Sequence, residues 1–205
     1  MSRVASILVS AFLCAGCVGS VFQSDAKPPD LYRLAPPSSV ATGPALAQAI
    51  SVARPRAASS LDTNRIAVVT PGHGFDYLAG ARWADAAPQM LQQLLLDGLG
   101  GAGGFATAIA SPSRVPADLL LDTELRRFEA VYASADSAPS IVVELQANLV
   151  DTRRGLRLAS FDARAEVAAE RNDRRAVVAA FDQATGRAVA DVVERARAAA
   201  AASAR

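Results

Sequence analysis

Reactive side chains are scarce in this 205-residue chain. It has one histidine, His73, two cysteines, Cys14 and Cys17, one lysine, Lys27, and one tryptophan, Trp83. Zinc clusters, iron–sulfur sites and disulfide frameworks need several cysteines or histidines at fixed spacing, so no metal and no cofactor is expected. An excess of one charge is lacking too. Twenty-one basic residues stand against 20 acidic ones, which leaves no electrostatic footprint for nucleic acid. What is present is apolar: hydrophobic residues make up 51% of the chain and charged residues 20%, a globular composition and enough length for about one domain. The 46 alanines, and arginine at 20 of the 21 basic positions, are a compositional bias from which no function is drawn.

The N-terminus reads as an address. Arg3 precedes a nearly unbroken apolar run over residues 4–13, and the small residues Ala15 and Gly16 precede Cys17. A positive charge, a short apolar stretch and a small-residue exit fit a secretory signal. The run falls well short of the ~20 residues that span a bilayer as a helix. The exit resembles a bacterial lipobox, in which the cysteine is acylated and becomes the mature N-terminus. Cys14 occupies the position where Leu is usual, but cleavage before Cys14 would place bulky Leu13 at the scissile bond, so Cys17 is the expected lipid attachment site. Val18 stands where an Asp would favour inner-membrane retention, so the periplasmic face of the outer membrane is the expected location. The expected organisation is a signal peptide over residues 1–16, a lipidated N-terminus and tether over 17–29, a domain over 30–197 and an Ala-rich tail over 198–205.

Within the domain, extended segments are expected at residues 30–34, 50–52 and 65–69. A helix follows Trp83, with Asp85 as its N-cap and Pro88 in its first turn. Leu91, Leu94, Leu95 and Leu99 form its apolar stripe. Phe105 opens another extended segment. Three segments then alternate with period two: Leu119, Leu121, Thr123 and Leu125; Ile141, Val143, Leu145, Ala147 and Leu149; Ala159, Phe161, Ala163, Ala165 and Val167. Their polar partners point the other way, as in an antiparallel sheet with one buried face. Residues 151–155 suit a hairpin turn, with Gly155 at positive φ. A final helix is capped by Asn172 or Asp173 and carries Val177, Phe181, Ala184, Ala188 and Val192 on one side. Residues 197–205 are expected to fray. The fold class is α+β: two layers, a mostly antiparallel sheet and two main helices on one face.

Candidate chemistry is thin. Gly98, Gly100 and Gly103 satisfy a G-x-G-x-x-G spacing, but a helix precedes and a strand follows, the reverse of a nucleotide loop, and the glycines suit a helix C-terminus. His73 sits in a loop, and Ser111, Ser113 and Asp76 offer no triad motif. Asp122, Glu124 and Glu144 read as a solvated or partner-facing sheet surface. No catalytic residue is assigned. Trp83 reads as a core-edge aromatic that fixes how the first helix docks. Arg82 and Trp83 are also candidates for partner contact, because both residue types are enriched at interface hot spots.

An ordered series of residues carries a family resemblance. It runs from the lipobox through Tyr32, Arg33 and Leu34, a strand ending near Pro71, then Tyr77, Leu78, Arg82, Trp83, Ala84 and Asp85. It continues through Met90, Leu91, Leu95, Gly104, Phe105, Ala117, Asp118, Leu119, Leu125 and Phe128, and ends with Leu149, Val150, Asp151, Phe161, Ala180, Phe181 and Ala184. The chain resembles the ABC-type transport auxiliary lipoproteins, the PqiC-like family. That resemblance implies a non-enzymatic accessory of an MCE-type phospholipid transport system, whose partners are an MCE-domain protein with its ABC permease and ATPase. It is compatible with a homo-oligomer. The alternative is a lipid-binding or envelope-assembly lipoprotein acting without an MCE partner.

Overall fold

The computed structural model describes residues 28–36, 44–101 and 103–204. Strand β7 (Leu119–Val131) is the spine of the sheet. One of its edges pairs antiparallel along the whole strand with β8 (Ser140–Asp151), which pairs antiparallel with β9 (Leu156–Ala168). Three shorter strands share the other edge in series, all parallel to it. β2 (Leu46–Ala53) takes residues 119–121, β3 (Arg56–Ala57) takes 124–125 and β4 (Arg65–Thr70) takes 129–131. From β2 the sheet extends in parallel to β6 (Phe105–Ser111). From β4 it extends to β5 (Gly74–Trp83), antiparallel, and from β5 to β1 (Asp30–Tyr32), parallel. The result is a nine-stranded sheet, mostly antiparallel through its long ladders and forked on β7.

The period-two pattern decides which face is covered. Ile141, Val143, Leu145, Ala147 and Leu149 of β8 are all buried, as are Leu119, Leu121, Thr123 and Leu125 of β7. A register shift between Leu125 and Arg127 resets the alternation, so that Phe128 and Ala130 face inward beyond it. Two helices close this inner face. α1 (Ala87–Gly100) lies along β2 and β6, and α2 (Arg174–Ser203) along β8 and β9. The Leu91, Leu94, Leu95 and Leu99 stripe is buried, and so are Val177, Phe181, Ala184, Ala188 and Val192. Each large side chain so buried contributes ~1.5–3 kcal/mol.

Helix ends show where local signals give way to packing. Asp173 caps α2 as expected, its Oδ1 accepting the Ala176 N–H at 2.9 Å, and that bond holds its carboxyl below the usual carboxylate range. Asp85 does not cap α1. Ala86 takes the N-cap position without a side-chain bond, and Pro88 still falls in the first turn. Here the Ala87 N–H is satisfied by the Thr63 carbonyl at 3.0 Å, so the preceding loop does the work of a cap. The glycines correct a second expectation. Gly98 and Gly100 lie within α1, and only Gly103 of the three adopts positive φ. Gly98 is small because α2 crosses there: an added Cβ would stand 2.9 Å from Val193 Cγ2.

Nor does α2 fray at residue 197. It runs to Ser203, with Ala196 and Ala200 fully buried, because methyl-sized side chains let the last turns lie against the core. Arg197 fastens this end by donating to the Pro44 carbonyl at 3.0 Å. Among the described residues no helix is long and apolar enough to cross a membrane.

Candidate interaction surface

With both helices on the inner face, the outer face of the sheet presents the polar half of each alternating strand. Over β7, β8 and β9 this surface is a charge mosaic. Arg56 meets Asp122 at 3.3 Å, Arg126 meets Asp162 at 3.1 Å and Arg164 meets Glu166 at 3.0 Å. Arg127 meets Glu129 at 2.7 Å. Glu144 sits in register between Arg127 and Arg164, and Glu124 lies opposite Gln146. Gln146 in turn donates to Ser160 Oγ at 3.3 Å. Asp122, Glu124 and Glu144 thus face amides and guanidinium groups instead of one another, and form no acid/base couple. Exposed pairs of this kind contribute little to stability. Their consequence is a surface of local charge alternation, with most guanidinium groups balanced by a neighbouring carboxylate.

The branch made of β4, β5 and β1 has a different outer surface. Leu31, Arg82 and Arg65 align across its three strands. The Arg65 guanidinium lies 3.5 Å over the Tyr77 ring, and Phe75 meets Tyr77 edge-on with ring centres 5.4 Å apart. The β4–β5 pairing slips by three residues between Arg65 and Ala67, and Gly80, at φ +67°, lies within the slipped stretch. That irregularity brings Tyr77 beside Arg65. The Tyr77 hydroxyl donates to the Ser60 carbonyl at 3.2 Å. The loop carrying Ser60 is held further by a forked pair, Arg54 to Asp62, at 2.5 and 3.1 Å. Each side chain's hydrogen bond favours the other's charged form, so Arg54 lowers the Asp62 carboxyl and Asp62 raises Arg54.

At the far end of the spine, the β8–β9 turn is tied to the start of β7. Arg153 pairs with Asp118, whose other oxygen accepts the Ala49 N–H at 2.9 Å, and Thr152 Oγ1 donates to the Ala117 carbonyl at 2.5 Å. These contacts, with Gly155 at φ +66°, fix the turn.

The residues singled out in the sequence are scattered. Cys17 lies outside the described residues. Arg82 is exposed on the outer face of β5. Trp83, its neighbour, points inward and is 0% exposed. Its ring packs against Phe128 and Phe181, with centres 5.6 and 5.1 Å away, and those two rings are 5.0 Å apart. The indole therefore joins β5, β7 and α2 as a core aromatic and is out of reach of a docked partner. His73 lies in the β4–β5 turn at φ +64°, level with the end of β7, whereas Ser111 lies level with residue 122. Roughly 30 Å of strand at ~3.3 Å per residue separates them, so His73, Asp76 and Ser111 form no catalytic group. Among the described residues no cluster of His, Cys, Asp or Glu could hold a metal ion. The sequence reading missed the Phe75, Tyr77 and Arg65 cluster; the alternation of Phe75 and Tyr77 about Asp76 was the available signal.

Comparison with known proteins agrees with this architecture. The sequence matches the family model "ABC-type transport auxiliary lipoprotein component" over residues 32–193. A Xanthomonas campestris protein of family DUF330 superposes with a TM-score of 0.73 at 27% identity, covering 85% of this chain and 99% of that one. An uncharacterized protein of known structure superposes at 0.64 with 15% identity, covering 84% and 99%. A hypothetical protein from Chlamydia trachomatis shares the fold at 0.50 and 11% identity, covering 76% and 99%. No match is found among curated proteins. The forked sheet, its two helices and the family match over most of the domain lead to one conclusion: the chain belongs to the ABC-type transport auxiliary lipoprotein family.

Proposed function

We propose that the chain is a lipid-anchored adaptor of an MCE-type ABC phospholipid transport system. Held at the periplasmic face of the outer membrane through Cys17, it docks the MCE-domain protein on the outer face of the β7–β8–β9 ladder and carries out no chemistry itself. The permease and ATPase of the system supply the energy and the channel.

The observation that carries this reading is the asymmetry of the sheet. Both helices lie on one face, while the other is a broad polar surface with no covering element among the described residues. Alternating, mutually compensated charges suit a contact that selects its partner by pattern instead of by bulk attraction. The space between helices and sheet is filled by Leu91, Leu95, Leu99, Leu145, Val189 and Val192, all fully buried. A lipid carrier needs that space for its cargo, so the filled layer favours docking over carriage. The lipobox residues Ala15, Gly16 and Cys17, followed by Val18, support the anchor and its outer-membrane location. Residues 17–29 act as the tether, and the adaptor domain, which the sequence ends at 197, carries its last helix on to Ser203.

The test is purification of the full chain from its native host. The adaptor should fractionate with outer membrane and bring down an MCE-domain protein together with its permease and ATPase. Recovery of bound phospholipid without any MCE protein would instead favour the lipid-binding lipoprotein, and Cys17→Ala protein that stays with the outer membrane would remove the anchor.

A further inference from the structure

We propose that the outer surface of the β1–β5–β4 branch rests on the bilayer that holds the anchor. Leu31, Phe75 and Tyr77 enter the headgroup layer, and Arg65 and Arg82 sit on anionic lipid phosphates. This rests on the lipoprotein reading of Cys17.

The chemistry of the patch is that of a membrane interface. Leu31 is 68% exposed and Phe75 45%, two of the four large apolar side chains exposed among the described residues; the others, Val115 and Leu156, lie away from the branch. Arg65 and Arg82 are cross-strand neighbours, and neither has a carboxylate within ion-pair distance among the described residues. On the ladder face, by contrast, Arg56, Arg126, Arg127 and Arg164 all do, and only Arg157, beside the β8–β9 turn, does not. Asp62, three residues before Arg65, is taken by Arg54, and Asp76, which lines the same cleft as both arginines, accepts the Tyr77 N–H at 2.7 Å through Oδ1. Two uncompensated guanidinium groups beside aromatic and aliphatic side chains match a layer of phosphates over acyl chains. Basic residues near an anionic leaflet each strengthen its hold.

The position of the anchor supplies the second argument. β1 runs parallel to β5, so the chain preceding Asp30 enters alongside the β5 edge, and Pro29 lines the same cleft as Asp76, Tyr77 and Arg82. Only ten residues lie between Cys17 and Pro28, a span of at most about 40 Å when fully extended. The branch is thus the part of the fold where the tether arrives, and its exposed patch is the surface an acylated Cys17 would bring to the bilayer.

The test uses the full chain, acylated at Cys17 and reconstituted into vesicles. With Cys14 removed and Cys17 modified no free thiol remains, so an introduced cysteine reports alone. A polarity-sensitive dye is placed at Ala79→Cys in the branch or at Arg154→Cys in the distal β8–β9 turn, and quenched by nitroxide lipid. In phosphatidylglycerol-containing vesicles, quenching at position 79 should exceed that at 154 several-fold. The membrane-resting population should fall roughly fivefold for each of Arg65→Gln and Arg82→Gln, with an unchanged circular dichroism spectrum, and should fall in pure phosphatidylcholine. Equal quenching at both positions, or quenching at 79 indifferent to both arginines and to lipid charge, would overturn the proposal, as would burial of 79 against a second copy of the chain. Failure of the chain to float with vesicles at all strikes the anchor reading instead, and this inference with it.

Discussion

The ladder and the branch expose two outer surfaces of a single sheet, yet they treat charge in opposite ways. On β7, β8 and β9 the arginines Arg126, Arg127 and Arg164 each find a carboxylate and Arg157, at the start of β9, is the exception, while on β5 and β4 Arg82 and Arg65 find none among the described residues. The exposed apolar side chains are placed differently too: Leu31 and Phe75 lie on the strands that carry the unpaired arginines of the branch, whereas the ladder exposes Leu156 at the start of β9, beside its hairpin turn. A compensated surface gains little from nonspecific attraction and suits selective contact with a protein. An uncompensated basic surface with exposed apolar side chains suits an anionic lipid layer. The difference divides the adaptor into a face for its partner and a patch for its membrane.

The two regions should also come apart mechanically. The branch is pinned to the rest by Trp83 against Phe128 and Phe181, so Trp83→Ala should cost about 3–5 kcal/mol. Hydrogen exchange should then show β5 and β1 losing protection before β8. Uniform loss across the sheet would mean that the branch is no separate unit. Leu145→Ala, deep under the ladder, should cost about 2–5 kcal/mol in denaturant unfolding and spare that order of opening.

Smaller effects sharpen the contrast. Asp182 of α2 accepts the Ala35 N–H at 2.9 Å, tying the segment after β1 to the helix layer. Burial pushes its carboxyl above the usual range, the Ala35 bond opposing only in part. The folded state therefore holds this proton more tightly than the unfolded one, and its contribution to stability declines as pH rises through the carboxylate range. Asp182→Asn keeps an acceptor and should flatten that decline in a pH series of thermal unfolding; an unchanged slope would assign the dependence elsewhere. Smallest of all, Arg126→Ala or Arg164→Ala should change stability by no more than about 0.5 kcal/mol, although each alters the face offered to a partner.

The ladder was legible in the sequence because its period-two pattern runs unbroken across residues 141–149 and 159–167, and turn chemistry at Gly155 marks its hairpin. Two places depart: the bulge after Leu125 reverses the alternation in the late part of β7, and the β8–β9 register shifts between Leu149 and Val150. The branch was harder. Gly80 interrupts β5 and the three-residue slip opposite Arg65 and Ala67 removes its periodicity, so a ten-residue strand reads locally as loop. The end of α1 misled in another way, since its glycines serve the crossing with α2 as well as the chain's exit. Trp83 was legible as an anchor of packing. In the cluster of Phe75, Tyr77 and Arg65 the spacing of the two aromatics was readable, but the cross-strand contact with Arg65 is encoded by no linear spacing.

Face-resolved photo-cross-linking in the native host tests the adaptor claim most directly. A photoreactive residue at Gln146, on the ladder's outer face, is compared with one at Gln93, on the exposed side of α1. The account predicts an adduct with the MCE-domain protein from position 146 and none from position 93. An adduct from 93 alone, equal yields from both, or no MCE adduct from either would contradict it.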